Sequence, residues 1–110
     1  MAGLVPAIHV CQPVGMAYAW LYIVTNKPNG ILYVGVTGDI QRRAYEHREG
    51  LITGFTKRYA LKRLVYTEAY DDIALALQRE KTMKHWPRAW KVRLILAQNP
   101  DWTDLYDTLA

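Results

Sequence analysis

Read from residue 18 onward, the chain alternates between two periodicities. Tyr18 to Val24 (YAWLYIV) is a short run of aromatic and β-branched residues, which predicts a strand. Thr25 to Gly30 (TNKPNG) carries turn chemistry in Pro28 and Asn29-Gly30, and Ile31 to Val36 (ILYVGV) is a returning strand, so the two runs read as a β-hairpin. After Thr37-Gly38, Asp39 suits an N-cap for a helix from Ile40 to about Glu49, with Gly50 as its stop. Leu51 to Ala60 is irregular, basic and aromatic. Arg63 to Tyr70 (RLVYTEAY) is a third strand. Asp71-Asp72 opens a second helix to about His85, Pro87 ends it, and Arg88 to Gln98 is a third helix. Trp102 to Leu109 reads as a short final helix or turn. The order is ββαβαα: an α+β fold in which helices flank a three-stranded antiparallel sheet. The expected divisions are a flexible extension over residues 1–17, one domain over 18–98, and an acidic tail with a short helix over 99–110.

Two helices break their own pattern. In the second, Ile73, Ala76, Leu77 and Met83 form an apolar stripe with Glu80 in its middle, while Arg79 and Lys81 point elsewhere. An inward carboxylate is costly unless it is paired or holds a cation. Glu80 is thus a stripe-edge carboxylate that reaches solvent, one half of an ion pair, or a metal ligand. In the first helix, Ile40, Ala44 and Leu51 mark the inward side, and Arg43 and His47 fall on it, whereas Arg42 points to water. Arginine is well suited to a bidentate phosphate contact, and a partnership with Glu80 or with a carbonyl is the plain structural alternative. For His47 the plain alternative is a hydrogen-bonded core histidine. Tyr22 and Tyr33 stand on the hairpin, either as ordinary core aromatics or as site phenols. Gly35 sits in a strand interior, where glycine is unfavourable unless something approaches the bare backbone closely. That makes Gly35 a candidate contact for nucleic acid.

Composition narrows the classes. At 110 residues the chain is one small domain. No apolar run approaches the roughly 20 residues of a membrane helix. Fourteen Lys and Arg face ten Asp and Glu, a net +4. Asp101, Asp104 and Asp107 fall in the last ten residues, so the first hundred carry fourteen cations against seven carboxylates. A body this basic suits a polyanion. Cys11 is the single cysteine, which excludes an intrachain disulfide and a CxxC zinc site and fits a reducing cytoplasm. Residues 1–17 hold no charged side chain and are interrupted by Gly3, Pro6, Pro13 and Gly15. They lack the basic start of a signal peptide, and Met16 is the natural beginning of the domain. Lys57, Arg58, Lys62 and Arg63 cluster before the third strand. Arg79, Lys81, Lys84, Arg88, Lys91 and Arg93 follow on the later helices, with Tyr59, His85, Trp86 and Trp90 interleaved. Lys57, Arg58, Lys62, Lys84 and Arg88 are the candidate phosphate contacts, and Trp86 and Trp90 are read as core. No element has the spacing of a base-reading helix, which points away from sequence-specific recognition.

In order along the chain, these residues resemble the GIY-YIG nucleases, in particular their small single-domain bacterial type. The first motif stands as Leu21-Tyr22-Ile23, keeping only the tyrosine, and the second as Tyr33-Val34-Gly35, with Val for Ile. The family's arginine matches Arg43, its histidine or tyrosine one turn later matches His47, and its metal-binding glutamate matches Glu80. Phe55-Thr56-Lys57-Arg58-Tyr59 is similar to the small-protein branch, and the likeness spans about residues 18–95. Asn99 is the only counterpart to a polar residue that some larger relatives add after the last core helix. The resemblance implies an endonuclease hydrolysing phosphodiester bonds in DNA with one Mg²⁺ or Mn²⁺. Glu80 would hold the metal, Arg43 would stabilise phosphoryl charge, His47 would orient water or relay a proton, and either Tyr22 or Tyr33 would assist the attacking water. The expected cutting is structure-selective, on branched or damaged DNA, or non-specific, with RNA as a further polyanion of the same kind. A catalytically weak nucleic-acid-binding module and a small protein-binding domain with a basic face are the competing classes.

Overall fold

A computed structural model describes residues 18–109. The leader, with Cys11 and the Met16 start, lies outside the described residues. Strand β1 (Ala19–Thr25) and strand β2 (Leu32–Thr37) form the hairpin. Helix α1 (Ile40–Arg48) follows, then a single helical turn α2 (Phe55–Arg58) and strand β3 (Arg63–Tyr70). Helices α3 (Ile73–Lys84) and α4 (Arg88–Gln98) and a 3₁₀ turn (Leu105–Thr108) complete the chain. The sheet is antiparallel throughout, in the order β2-β1-β3. The α+β arrangement is the one the periodicities imply; α2 is a helical turn inside a segment read as irregular.

The central position of β1 explains its composition. All seven of its residues are buried, because each face of the sheet is covered. Leu21 and Ile23 join Val34, Val65, Met83 and Ile95 under α3 and α4. Trp20, Tyr22 and Val24 join Ile40, Ala44, Leu61 and Leu64 under α1. The hairpin turn closes with Gly30 N–H donating to Lys27 C=O at 2.9 Å. Pro28 then occupies the second position and Asn29, with φ of 57°, the third, the pattern of a type II turn. Asp39 caps α1 through a bond from Arg42 N–H, and Asp72 caps α3 through a bond from Ala74 N–H.

The outer edge of β3 is covered by side chains. Gln98 accepts from Thr67 N–H at 3.1 Å and donates to Thr67 C=O at 2.9 Å, acting as a piece of strand. Asp104 accepts from Leu64 N–H at 3.2 Å. Asn99 is buried, donates to Val65 C=O and Thr103 C=O, and accepts from Thr103 N–H. These contacts blunt an edge that would otherwise pair with another chain. They also give Asn99 a structural role at the end of α4. Asp107 pairs with Arg48 at 3.2 Å, so the acidic tail is bonded to both β3 and α1. Among the described residues, no helix is long and apolar enough to cross a membrane.

Several side chains face differently from the sequence reading. Leu51 is exposed, because α1 has already ended. Ile73 and Leu77 are about half exposed, while Ala76 and Met83 are fully buried. At about 100° per residue, Ala76 and Met83 define the true inward line of α3. Arg79 and Glu80 then lie roughly 60° and 40° to opposite sides of it. Small Ala76 lets the helix approach the sheet, and Ile73 and Leu77 are left beyond Glu80. The sequence reading places both tryptophans in the core; Trp86 is partly buried against it, but Trp90 is 49% exposed, its ring meeting Trp86 edge-on at 5.8 Å.

Candidate active site

The site is built around Tyr22. Alternation along β1 points this residue to the α1 face, and antiparallel register sets it opposite Gly35 on β2. The phenol lies across that glycine: a Cβ at Gly35 would stand 2.5 Å from Tyr22 Oη and 2.6 Å from Cζ. Gly35 is therefore buried beneath the tyrosine. The close approach it permits is made by an aromatic ring of the same chain, which corrects its reading as a nucleic-acid contact.

From α1, His47 reaches the same phenol. Tyr22 Oη and His47 Nε2 share a hydrogen bond of 3.0 Å, and the rings are tilted at 5.4 Å. Burial, and then the nearby Arg43 charge, lower the imidazole to about 4, against a smaller opposing effect of Glu46. His47 is thus neutral at physiological pH. Its Nδ1 is buried and has no hydrogen-bond partner among the described residues. Burial raises the Tyr22 phenol to about 12; Tyr33 and Glu80 add to this, while Arg43 works against it. Tyr22 accordingly keeps its proton, and it feels Arg43, Tyr33 and Glu80 together.

Arg43 lies one turn before His47. Its Nε is 3.2 Å from Glu46 Oε1 but lacks hydrogen-bond alignment, and Arg42 takes Glu46 Oε2 at 3.3 Å. Arg43 is the half-sheltered guanidinium, 38% exposed, and Arg42 the exposed one at 76%. A cavity of about 330 Å³ opens against Arg43, lined also by Thr37, Gly38, Asp39, Arg42 and Glu46. On α3, Glu80 is mostly sheltered, and its Oε2 meets Lys84 Nζ at 3.2 Å. Lys84 also lies 5.7 Å from the centre of the Tyr33 ring, so this side of α3 looks toward the β2 tyrosine. Tyr33 is half-buried, 6.2 Å from the His47 ring and stacked on Phe55 at 6.5 Å. Arg43 and Glu80 each have a different partner, so the ion pair between them does not form.

The remaining basic residues divide. Lys57 and Arg58 on α2 and Lys62 before β3 are exposed. Arg88 ties α4 to the hairpin turn, donating to the Asn29 carbonyl at 2.8 Å and its side-chain oxygen at 3.2 Å. Arg79 turns inward onto Glu68 through two bonds of 3.1 and 3.0 Å, and its guanidinium covers Trp86 at 4.8 Å. Tyr66 and Tyr70 also donate to Glu68. Burial alone would raise the Glu68 carboxyl, but these four hydrogen bonds outweigh it and hold the group below the usual range. This network was not anticipated; its signal was a glutamate alternating with Tyr66 and Tyr70 on one face of a strand.

For a metal, the donor set is sparse. Among the described residues no three His, Cys, Asp or Glu converge. Glu80 offers one hard, mostly sheltered carboxylate. This fits a hard divalent cation that retains waters and is held by one or two carboxylates together with substrate phosphates.

The GIY-YIG catalytic domain profile matches residues 18–93, a span that includes every residue of this site. A UPF0213 protein of Staphylococcus saprophyticus is 38% identical over 76 residues, covering 69% of this chain and 92% of the relative. One from Natronomonas pharaonis is 39% identical over 64 residues, 58% of this chain and 75% of the relative. A solution NMR structure of a UPF0213 protein from Bacillus halodurans is 28% identical, with a TM-score of 0.49, over 78% of this chain and 90% of that one.

Proposed function

The chain belongs to the GIY-YIG catalytic domain family, a family of nucleases that generally use divalent metal ions, and on that premise we propose that it is a metal-dependent endonuclease hydrolysing phosphodiester bonds in DNA. The observation that supports this reading is the buried Tyr22–His47 hydrogen bond over Gly35, with Arg43 one turn before His47 on α1 and Arg43 and Glu80 each paired elsewhere rather than with the other. Such a set supplies what phosphodiester hydrolysis needs: a cation for the phosphoryl oxygens, a carboxylate for a metal, and hydroxyls to orient water.

Each residue takes a distinct part. Arg43 binds the phosphate and stabilises negative charge as it develops there; a donor of this kind acts strongly because it is already in place. Tyr22 is too basic to surrender its proton at neutral pH, so it positions rather than abstracts. His47 donates from Nε2 to Tyr22 Oη in this reading. That tautomer leaves a lone pair rather than an N–H unpaired at Nδ1, and it frees the tyrosine hydrogen for another acceptor. Tyr33 is the more accessible phenol and orients the attacking water. Glu80 would hold the divalent metal, Mg²⁺ or Mn²⁺, which when bound would supply positive charge to offset the charge that develops at the phosphate. Lys84 exchanges Glu80 for phosphate when the site fills. Lys57, Arg58 and Lys62 contact the nucleic-acid backbone. Arg88, committed to the hairpin turn, is at most a peripheral contact.

The Lys84–Glu80 pair is the one observation favouring a weakly catalytic binding module, because a resident ammonium competes with a metal. Supercoiled, branched and single-stranded DNA incubated with Mg²⁺, Mn²⁺ or chelator separates the two readings. Cutting that chelator abolishes supports the nuclease. Salt-sensitive binding without cutting supports the module.

A further inference from the structure

An aromatic row runs outward from Tyr33, and its outer members Phe55 and Tyr59 have no part in the chemistry above. Residues 51–62 contain Phe55, Lys57, Arg58, Tyr59 and Lys62 and no carboxylate. Gly54, with φ of 101°, opens α2, and Ala60, with φ of 56°, closes the turn. Thr56 and Leu61 are buried, and Leu61 N–H donates to Thr56 C=O at 2.8 Å. This pinning fixes the turn from its inner side. Phe55 and Tyr59, four residues apart, remain outside, 50% and 41% exposed. Their rings are 4.8 Å apart, Phe55 stacks on Tyr33 at 6.5 Å and 26°, and the Arg58 guanidinium lies 5.6 Å from the Tyr59 ring. Tyr33, Phe55 and Tyr59 are thus a continuous row from the reacting centre to open surface, flanked by cations.

Rings half exposed gain little from the core, yet these two are held in order beside a phosphate-binding charge. Aromatic faces of this kind stack on nucleobases without regard to sequence. A base inside an uninterrupted duplex has both faces covered, and taking it out costs energy; an unpaired base is free to stack. We propose that Phe55 and Tyr59 form a base-stacking platform, which directs the enzyme to phosphodiester bonds beside an unpaired nucleotide and away from continuous duplex. Lys57 and Lys62 neutralise the accompanying phosphates, since they are exposed and no acidic residue stands between them. The cleavage preference rests on the nuclease reading; the binding platform does not.

The test uses the full chain without metal. An oligonucleotide carrying 2-aminopurine is presented single-stranded and as a duplex, with anisotropy for affinity and fluorescence quenching for stacking. The parent is expected to prefer the single strand and to quench it. Phe55→Ala and Tyr59→Ala should each weaken single-strand binding roughly 5- to 150-fold and relieve the quench, the range set by loss of one stacked base. Phe55→Trp should retain both signals, with circular dichroism melts verifying the fold of each variant. In cleavage with Mg²⁺, the ratio of single-strand to duplex kcat/KM should fall by a similar factor in the alanine variants. Unchanged single-strand affinity and quench in both alanine variants, or a parent that does not bind single strands, overturns the platform. Cutting by the parent with an unaltered single-strand to duplex ratio overturns the platform and leaves the nuclease reading standing. Weakened binding in the variants with no cutting by the parent supports the platform and overturns the nuclease reading.

Discussion

Replacing Gly35 with alanine probes the seam between the two hairpin strands. The added methyl would sit 2.5 Å from Tyr22 Oη and 2.6 Å from Cζ, about 1 Å inside ordinary carbon contact distances. The ring cannot retreat freely, because its hydroxyl is bonded to His47 and its body is 2% exposed. Overpacking of this kind costs about 1–3 kcal/mol. Losing the Tyr22–His47 hydrogen bond adds about 1 kcal/mol. The gain from substituting glycine in a strand offsets roughly 0.5–1 kcal/mol of that. The net expectation is a loss of about 1–3 kcal/mol, or a fall in Tm of roughly 5–15 °C for a domain of this size. Calorimetry on Gly35→Ala, Tyr22→Ala and the double variant isolates the contact. With the ring removed, the methyl has room, so Gly35→Ala should then cost less than about 0.5 kcal/mol. An equal cost in both backgrounds, or no cost in the parent, would refute the account of the glycine.

Other expectations concern charge. His47 binds its proton at about 4 when folded against an ordinary 6.5, so the unfolded chain holds more protons between those values. Stability should therefore be complete above about pH 6.5 and decline as pH falls toward 4, by about 3 kcal/mol in all, with His47→Phe flattening the curve in chemical denaturation. Glu68→Ala should cost about 3 kcal/mol by stranding Arg79 and two tyrosines, whereas Glu68→Gln should recover part of it, both read from urea midpoints. Lys84→Ala frees Glu80 from its ammonium and should tighten Mn²⁺ binding several-fold by calorimetry without DNA; unchanged or weaker affinity would contradict the competition.

The boundaries of the strands and helices were legible because each is punctuated chemically: Asp39 and Asp72 cap, Pro28 turns, and Pro87 separates α3 from α4. The inward positions of Arg43 and His47 were also legible, since α1 is short and has a single buried line. Less of α3 could be read. Counting Ile73 and Leu77 as core placed Glu80 at the centre of the stripe, whereas packing through Ala76 sets Glu80 and Arg79 on opposite shoulders. Periodicity gives a helix its face but not its rotation against a sheet, which depends on side-chain size at the contact. The same gap hid the Glu68–Arg79 network, whose partners lie eleven residues apart on different elements. Gly35 was noticed for the correct reason, a close approach, and assigned the wrong visitor; only register reveals that Tyr22 lies opposite.

The central claim is that Arg43 and Glu80 meet at the Tyr22 phenol to act on a phosphodiester. Single-turnover cleavage of one labelled DNA strand with Mg²⁺ or Mn²⁺, by the parent, Arg43→Ala and Glu80→Ala, tests it most directly. The account predicts cutting by the parent and at least a hundredfold slower cutting by both variants, each with a parent-like melting curve. A Glu80→Ala protein that cuts as fast as the parent would contradict it.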